Sequence, residues 1–287
     1  MTDVDWSRTV FLLVGPDAIA RHLAVPMLER VFDEGLVPVG YRTLPMPPQA
    51  HDEMYERNIR TVWDAYRFRL VDLLFSYGPM VVVLLDGPVG SHARLKQLKG
   101  DSDPLKAAPG TIRRDLWSIN VTMSLLHVSD SPEDAEFEAS IFFGATPPIP
   151  VTDKDELFRV CRLIAPGAAE QRRFDEVLGG LRAKIAASVW DDLAPAGREV
   201  VLRAHDDGGV VALSQPGVGR SLVGHLRGGG DHPVATALAT EFTPDHPKLD
   251  VPRVRHLLRA FGVEVDRWEE LVLTTSMTWW PRRTTDG

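Results

Sequence analysis

A histidine closes an apolar run in "SLLHV", and an acidic segment of helical character, "SPEDAEFEASIFF", begins a few residues later. His127 is therefore the first residue to weigh for chemistry. A neutral imidazole nitrogen is a competent nucleophile near pH 7, provided the second ring nitrogen carries the proton and is held by a neighbour. Other reactive types are sparse. Cys161 is the single cysteine, so no intrachain disulfide and no multi-cysteine zinc site can form. It lies in "ELFRVCRLI", whose helical spacing suits a buried small hydrophobe. The glycine-rich "SQPGVGRSLVGHLRGGGDHP" fails the G-x-x-x-x-G-K-[ST] pattern of a phosphate loop and precedes no clear Rossmann unit, so a flexible loop is expected. His225 and His232 have no carboxylate at a helical spacing that would complete a metal site.

The elements that must position His127 follow from the apolar pattern. "TVFLLVG" (9–15), "LVPVGYRTL" (36–44) and "PMVVVLLDG" (79–87) are β-rich runs ending at turn residues. Helical spacing covers 18–34, with Gly35 as its stop, and most of 46–78, with Gly78 as its stop. A short helix is expected over 88–100. "DSDPLKAAPGTIRRD" (101–115) is a loop by composition, and a loop of that length is usually functional. "SINVTMSLLHV" returns to strand character. Ser131-Pro132 then opens a helix, with Ser131 as cap, Pro132 at the first position, and Glu133 and Asp134 at the positive end. The order β-α-β-α-β-α-loop-β-α predicts a ferredoxin-like, four-stranded antiparallel sheet with helices on one face.

The Pro-rich "GATPPIPVTDKD" marks a domain boundary, giving residues 1–147 and a second α+β domain over 148–287. In the latter, "DELFRVCRLI", "AEQRRFDEVLGGLRAKIAASVWDDL" and "DVPRVRHLLRAFG" are expected as helices. "REVVLRAHDDGGVVALSQ" is expected as a hairpin turning at Asp207-Gly208-Gly209. "ELVLTTSMTWWP" is expected as extended or mixed, its aromatics serving packing or a partner. The chain has 287 residues, 44% of them hydrophobic, enough for a sizeable core. Its net charge of −8 argues against broad binding to nucleic-acid backbones. "MTDVDWSRT" has neither a basic nor an apolar leader region, and runs such as "MVVVLL" are too short to span a bilayer, so no membrane association and a cytoplasmic location are expected.

Residues 9–143 resemble the nucleoside-diphosphate kinase family. "LLVGPDAI" is similar to that family's first strand and Lys-Pro-Asp-Gly turn, "APGTIRRD" to its Pro-Gly-Thr-Ile-Arg-Gly-Asp loop, and "LLHVSDSPEDAEFE" to its His-Gly-Ser-Asp-Ser segment and following helix. The resemblance implies a ping-pong phosphotransferase. A nucleoside triphosphate such as ATP passes its γ-phosphoryl to His127, and a diphosphate or an unusual phosphorylated acceptor takes it back. It also implies a role for Glu138 in fixing the histidine tautomer, and for Arg94, Arg113, Ser102, Tyr55 and Ser124 in binding nucleotide or phosphate. Ser102 stands where the family has a threonine, and Ser124 where it has an asparagine. Asp130 is assigned to local structure and Arg114 to the surface. Magnesium is implied through the bound nucleotide, and a homo-oligomer by the family's assembly habit.

Four departures accompany the resemblance. The family lysine of the first turn is Gly15, the glycine after the histidine is Val128, the asparagine is Ser124, and the helical hairpin after Tyr55 is longer. Trp63, Tyr66 and Phe68 are candidates to stack on a base. Lys96, Lys99 or a residue of the second domain are candidates to replace the missing charge. The alternative reading is a catalytically degenerate nucleotide-binding protein acting as a regulator or scaffold.

Overall fold

The computed structural model describes residues 4–61 and 65–286. The chain divides into two compact units, Met1–Gln171 and Arg172–Gly287. Among the described residues no helix is long and apolar enough to cross a membrane.

In the first unit, strands β1 (Thr9–Val14), β2 (Val37–Leu44), β3 (Met80–Asp86), β4 (Leu126–Val128) and β5 (Ile149–Pro150) form one sheet in the order β4-β1-β3-β2-β5. All pairings are antiparallel, with Leu13 opposite both Val82 and His127. The expected four strands are present in ferredoxin-like order. The fifth is two residues of the Pro-rich segment, which pair with Gly40 and Tyr41 at the sheet edge. The helices are α1 (Pro16–Ala20), α2 (Ala24–Asp33), α3 (Pro48–Thr61), α4 (Ala65–Phe75), α5 (Ser91–Lys99), α6 (Ile112–Asp115), α7 (Pro132–Phe143) and α8 (Lys154–Ile164). The single helix expected over 18–34 is broken at His22, whose φ of 57° no α-helix accommodates.

Helices cover both faces of the sheet, not one. Strands β1 and β3 are apolar at nearly every position, so neither face can be left to water. Val10, Leu12, Val14, Val81, Val83 and Leu85 pack on α2 and α8 through Met27, Leu28, Val31, Leu157 and Phe158. Cys161 joins this core, and burial pushes its thiol up to about 12, as suits a packing residue. Phe11, Leu13, Val82 and Leu84 face the other way, onto Val71 and Phe75 of α4 and Ala135, Ala139, Phe142 and Phe143 of α7. Phe11 and Phe142 stack with centroids 5.4 Å apart.

The second unit consists of helices α9 (Phe174–Ser188), α10 (Pro195–Gly208), α11 (Val210–Leu213), α12 (Val218–Gly224), α13 (Ala235–Ala239), α14 (Val251–Arg259) and α15 (Arg267–Ser276), with short 3-10 turns and an isolated bridge between Leu193 and Leu226. The expected hairpin is α10 followed by α11. Pro195 starts α10, Arg203 pairs with Glu199 one turn away at 2.6 Å, and Gly209 turns the chain at a φ of 62°. "ELVLTTS" is helical in α15, and "SLVG" belongs to α12. Helix α9 forms the axis of the unit, burying Phe174, Val177, Leu178, Leu181 and Ile185. A Cβ on Gly179 would lie 1.8 Å from the Val210 carbonyl, so only glycine allows α9 and α11 this approach. Arg182 is fully buried. It donates to the carbonyls of Leu213, Leu238 and Thr240 and pairs with Glu241 at 3.1 Å.

Candidate active site

Strand β4 is three residues long and lies at the edge of the sheet. Ser129 donates its N–H to the Phe11 carbonyl at 3.1 Å, and His127 lies opposite Leu13. Alternation along the strand therefore turns the Leu126 and Val128 carbonyls toward the open edge. Both are satisfied by cations. Arg113 Nη2 donates to the Leu126 carbonyl at 2.9 Å, and Lys99 Nζ donates to the Val128 carbonyl at 3.0 Å. His127 thus sits between two carbonyls that each carry a positive charge.

The His127 ring points from the sheet toward α7. Its Nε2 lies 2.7 Å from Oε1 of Glu138, which is 8% exposed. A carboxylate only accepts, so Nε2 is the nitrogen that donates in this contact and Nδ1 is the one turned away from Glu138. Glu138 owes its place to the cap of α7. The Ser131 hydroxyl accepts from the Asp134 N–H at 3.1 Å, and Pro132 follows at the first helical position. Replacing Ser131 with alanine is expected to cost about 1 kcal/mol of stability, read from denaturant unfolding. A variant as stable as wild type would contradict this role for the cap.

A cleft of about 380 Å³ opens on His127, lined by Met54, Tyr55, Phe137 and the carboxylates Glu53, Glu56, Asp130, Asp134 and Glu138. Burial, and then the Glu138 charge, hold the Tyr55 phenol above its ordinary value. The cations stand behind this lining. Arg113 is buried on α6 and donates to the carbonyls of Gly100, Ser124 and Leu126 at 2.9, 3.2 and 2.9 Å. Burial lowers its guanidinium to about 10. Lys99 and Lys96 reach Asp130 at 3.0 and 3.3 Å. Burial pushes the Asp130 carboxyl up, but the two ammonium groups outweigh it and hold it below its ordinary value.

The structure brings together His127, Glu138, Tyr55, Arg113 and the backbone of Ser124. Arg94 and Ser102 are exposed and lie outside the cleft lining. Trp63 lies outside the described residues, as do the side chains of Tyr66 and Phe68. Lys96 and Lys99 share a face of α5 because they are three residues apart, and Arg94 does not lie on it. That spacing was the available signal for their pairing with Asp130.

Gly15 and Asp17 are hydrogen-bonded to Leu125, two residues before His127. The Asp17 carboxylate is 1% exposed, and its Oδ2 accepts from the Leu125 N–H at 3.0 Å. Burial raises its pKa above the ordinary 3.8, against the Leu125 bond and the Arg21 charge. A carboxyl raised in the native state favours folding most below pH 3.8, and that contribution is lost as pH rises through the native value. Relative to Asp17→Asn, the wild type is therefore expected to lose stability as pH rises above about 4. Melting temperatures of both proteins across that range test this, and a constant difference would refute it.

Residues 8–147 match the sequence profile of the family described as nucleoside diphosphate kinase. The nucleoside diphosphate kinase of Roseiflexus sp. (strain RS-1) is 35% identical over 135 residues, covering 46% of this chain and 85% of that protein. The chain belongs to the nucleoside diphosphate kinase family. The nucleoside diphosphate kinase of Deinococcus radiodurans is 34% identical over 135 residues, covering 47% of this chain and 93% of that protein. The crystal structure of the Aquifex aeolicus nucleoside diphosphate kinase aligns with a TM-score of 0.44 at 24% identity, covering 50% of this chain and 99% of that one. The kinase-family region therefore contains the whole sheet up to β4, together with His127, Glu138 and the cations of the β4 edge.

Proposed function

We propose that the first unit is a phosphotransferase that moves the γ-phosphoryl of a nucleoside triphosphate through a phosphohistidine at His127 to a diphosphate or an unusual phosphorylated acceptor. The observation that carries this reading is the 2.7 Å contact between His127 Nε2 and Glu138. It holds the proton on one nitrogen and leaves the other as the nucleophile. The Nδ1 lone pair forms the bond to γ-phosphorus, and the bond from phosphorus to the bridging oxygen breaks. The electron pair leaves on the nucleoside diphosphate. Ring charge that develops during attack is balanced by Glu138, and return of the phosphoryl to an acceptor oxygen restores the free imidazole. Tyr55, Ser124 and Arg113 border the path of the phosphates in this reading, and Arg94 and Ser102 approach from the exposed side.

Five carboxylates line the cleft, so a polyphosphate enters best with its charge offset by magnesium. Among the described residues no group of three His, Cys, Asp or Glu side chains is arranged to hold a metal ion. Magnesium enters with the nucleotide substrate in this reading. Residues 1–147 carry the chemistry in this reading, and residues 148–287 form a C-terminal part with a separate role. A homo-oligomeric state and a cytoplasmic location belong to the same proposal, tested by solution mass and cell fractionation.

A second reading, a degenerate nucleotide-binding regulator or scaffold, is favoured by one observation. Gly15 replaces the family lysine, and no cation lies in the cleft lining among the described residues. Incubation with magnesium and ATP radiolabelled in its γ-phosphate separates the two. Acid-labile label on the protein supports transfer. Nucleotide binding by calorimetry without label supports the regulator.

A further inference from the structure

We propose that Lys99 is the cation that meets the transferring phosphoryl group in this chain, in place of the lysine absent at Gly15. The inference rests on the phosphohistidine reading and adds to it the source of the charge. Transfer of a phosphoryl group depends on fixed positive charge at its oxygens. Arg113 stands close, but three of its five N–H donors go to backbone carbonyls, so its position is set by holding the β4 edge. Lys99 is placed differently. Its Nζ has three N–H donors, of which one goes to the carbonyl of Val128, next to His127, and one to Asp130. Asp130 lines the same cleft as His127.

These two bonds leave one Nζ donor over, and in this proposal it reaches past Asp130, which lines the cleft, to a ligand there. Asp130 and the Val128 carbonyl fix the ammonium, so little freedom is lost when a phosphate arrives. Lys96, on the other oxygen of Asp130, offsets the charge that Asp130 would otherwise turn against a phosphate. Burial lowers the Lys99 ammonium from its ordinary value, and Arg113 adds to that against Asp130, so an anionic ligand would relieve an unfavourable charge. In this proposal Lys99 exchanges no proton and only stabilises charge on the phosphoryl oxygens.

The test measures the initial rate of acid-labile labelling of His127 in full-length wild type, Lys99→Met, Lys99→Gln and Lys99→Arg. Loss of one charged hydrogen bond to the phosphoryl group predicts a fall of about 10- to 100-fold in the Met and Gln variants, with Arg within about threefold of wild type. Gln keeps a donor for the Val128 carbonyl without the charge, so it decides the matter if Met fails to fold. Labelling of either neutral variant within about twofold of wild type would overturn the assignment of Lys99 and leave the phosphohistidine reading intact. Absence of label on wild type itself would sink that reading first, and the Lys99 proposal with it.

Discussion

Substitution of His127 by alanine is expected to reduce phosphoryl labelling of the protein to background. Other losses at this site would weaken a step, whereas this one removes the atom that forms the bond. Glu138 cannot substitute, because it is buried behind the ring and its Oε1 is directed at Nε2. The variant is expected to fold normally. The His127 side chain is 29% exposed, and its neighbours Leu126 and Val128 anchor β4 through the core. Nucleotide affinity is expected to change by less than about tenfold, because in the proposed transfer the ring would act on the γ-phosphorus rather than as a main binding contact. Label that persists on His127→Ala, mapped to another residue, would refute the assignment of the nucleophile.

The second large effect is expected at Arg113. Arg113→Met keeps the apolar stem but withdraws the donors to Gly100, Ser124 and Leu126. Unmet buried acceptors cost about 1–3 kcal/mol each and are not additive, so a loss of about 3–5 kcal/mol is expected for the first unit. Arg113→Lys is expected to recover only part of it, because one ammonium cannot span three carbonyls in the geometry of a guanidinium fork. Hydrogen exchange of the β1 and β4 amides reads this directly, since it reports opening of that part of the chain. Unchanged protection in Arg113→Met would show that the β4 edge does not depend on this clamp.

Much of this was legible from residue type and spacing. The apolar runs at 9–15 and 79–87 allowed only buried strands, and Ser131-Pro132 allowed only a helix start. The pair His127 and Glu138 followed from the family motif. Three features were not legible, each for a physical reason. Continuous apolar strands do not say how many faces are covered, and both are. Asp207-Gly208-Gly209 has hairpin chemistry, but Pro195, the Glu199–Arg203 pair and the packing of α11 on α9 made the segment helical. The direction of Lys96 and Lys99 depends on the rotation of α5 about its own axis, which Leu95 sets by burying itself in the core. A motif alignment places residues along a chain but does not supply that rotation.

The corner at Gly15 limits what position 15 can hold. A Cβ there would meet Asp17 Oδ1 at 2.5 Å and the Leu125 carbonyl at 3.0 Å. The Asp17 carboxylate is held by Leu125, which itself sits at a φ of 74°. A lysine introduced at position 15 therefore has to shift the end of the buried Asp17 side chain. Any side chain at position 15 and the present placing of the Asp17 carboxylate compete for the same space, so a substitution there is felt at Asp17 and at the turn of Leu125 together.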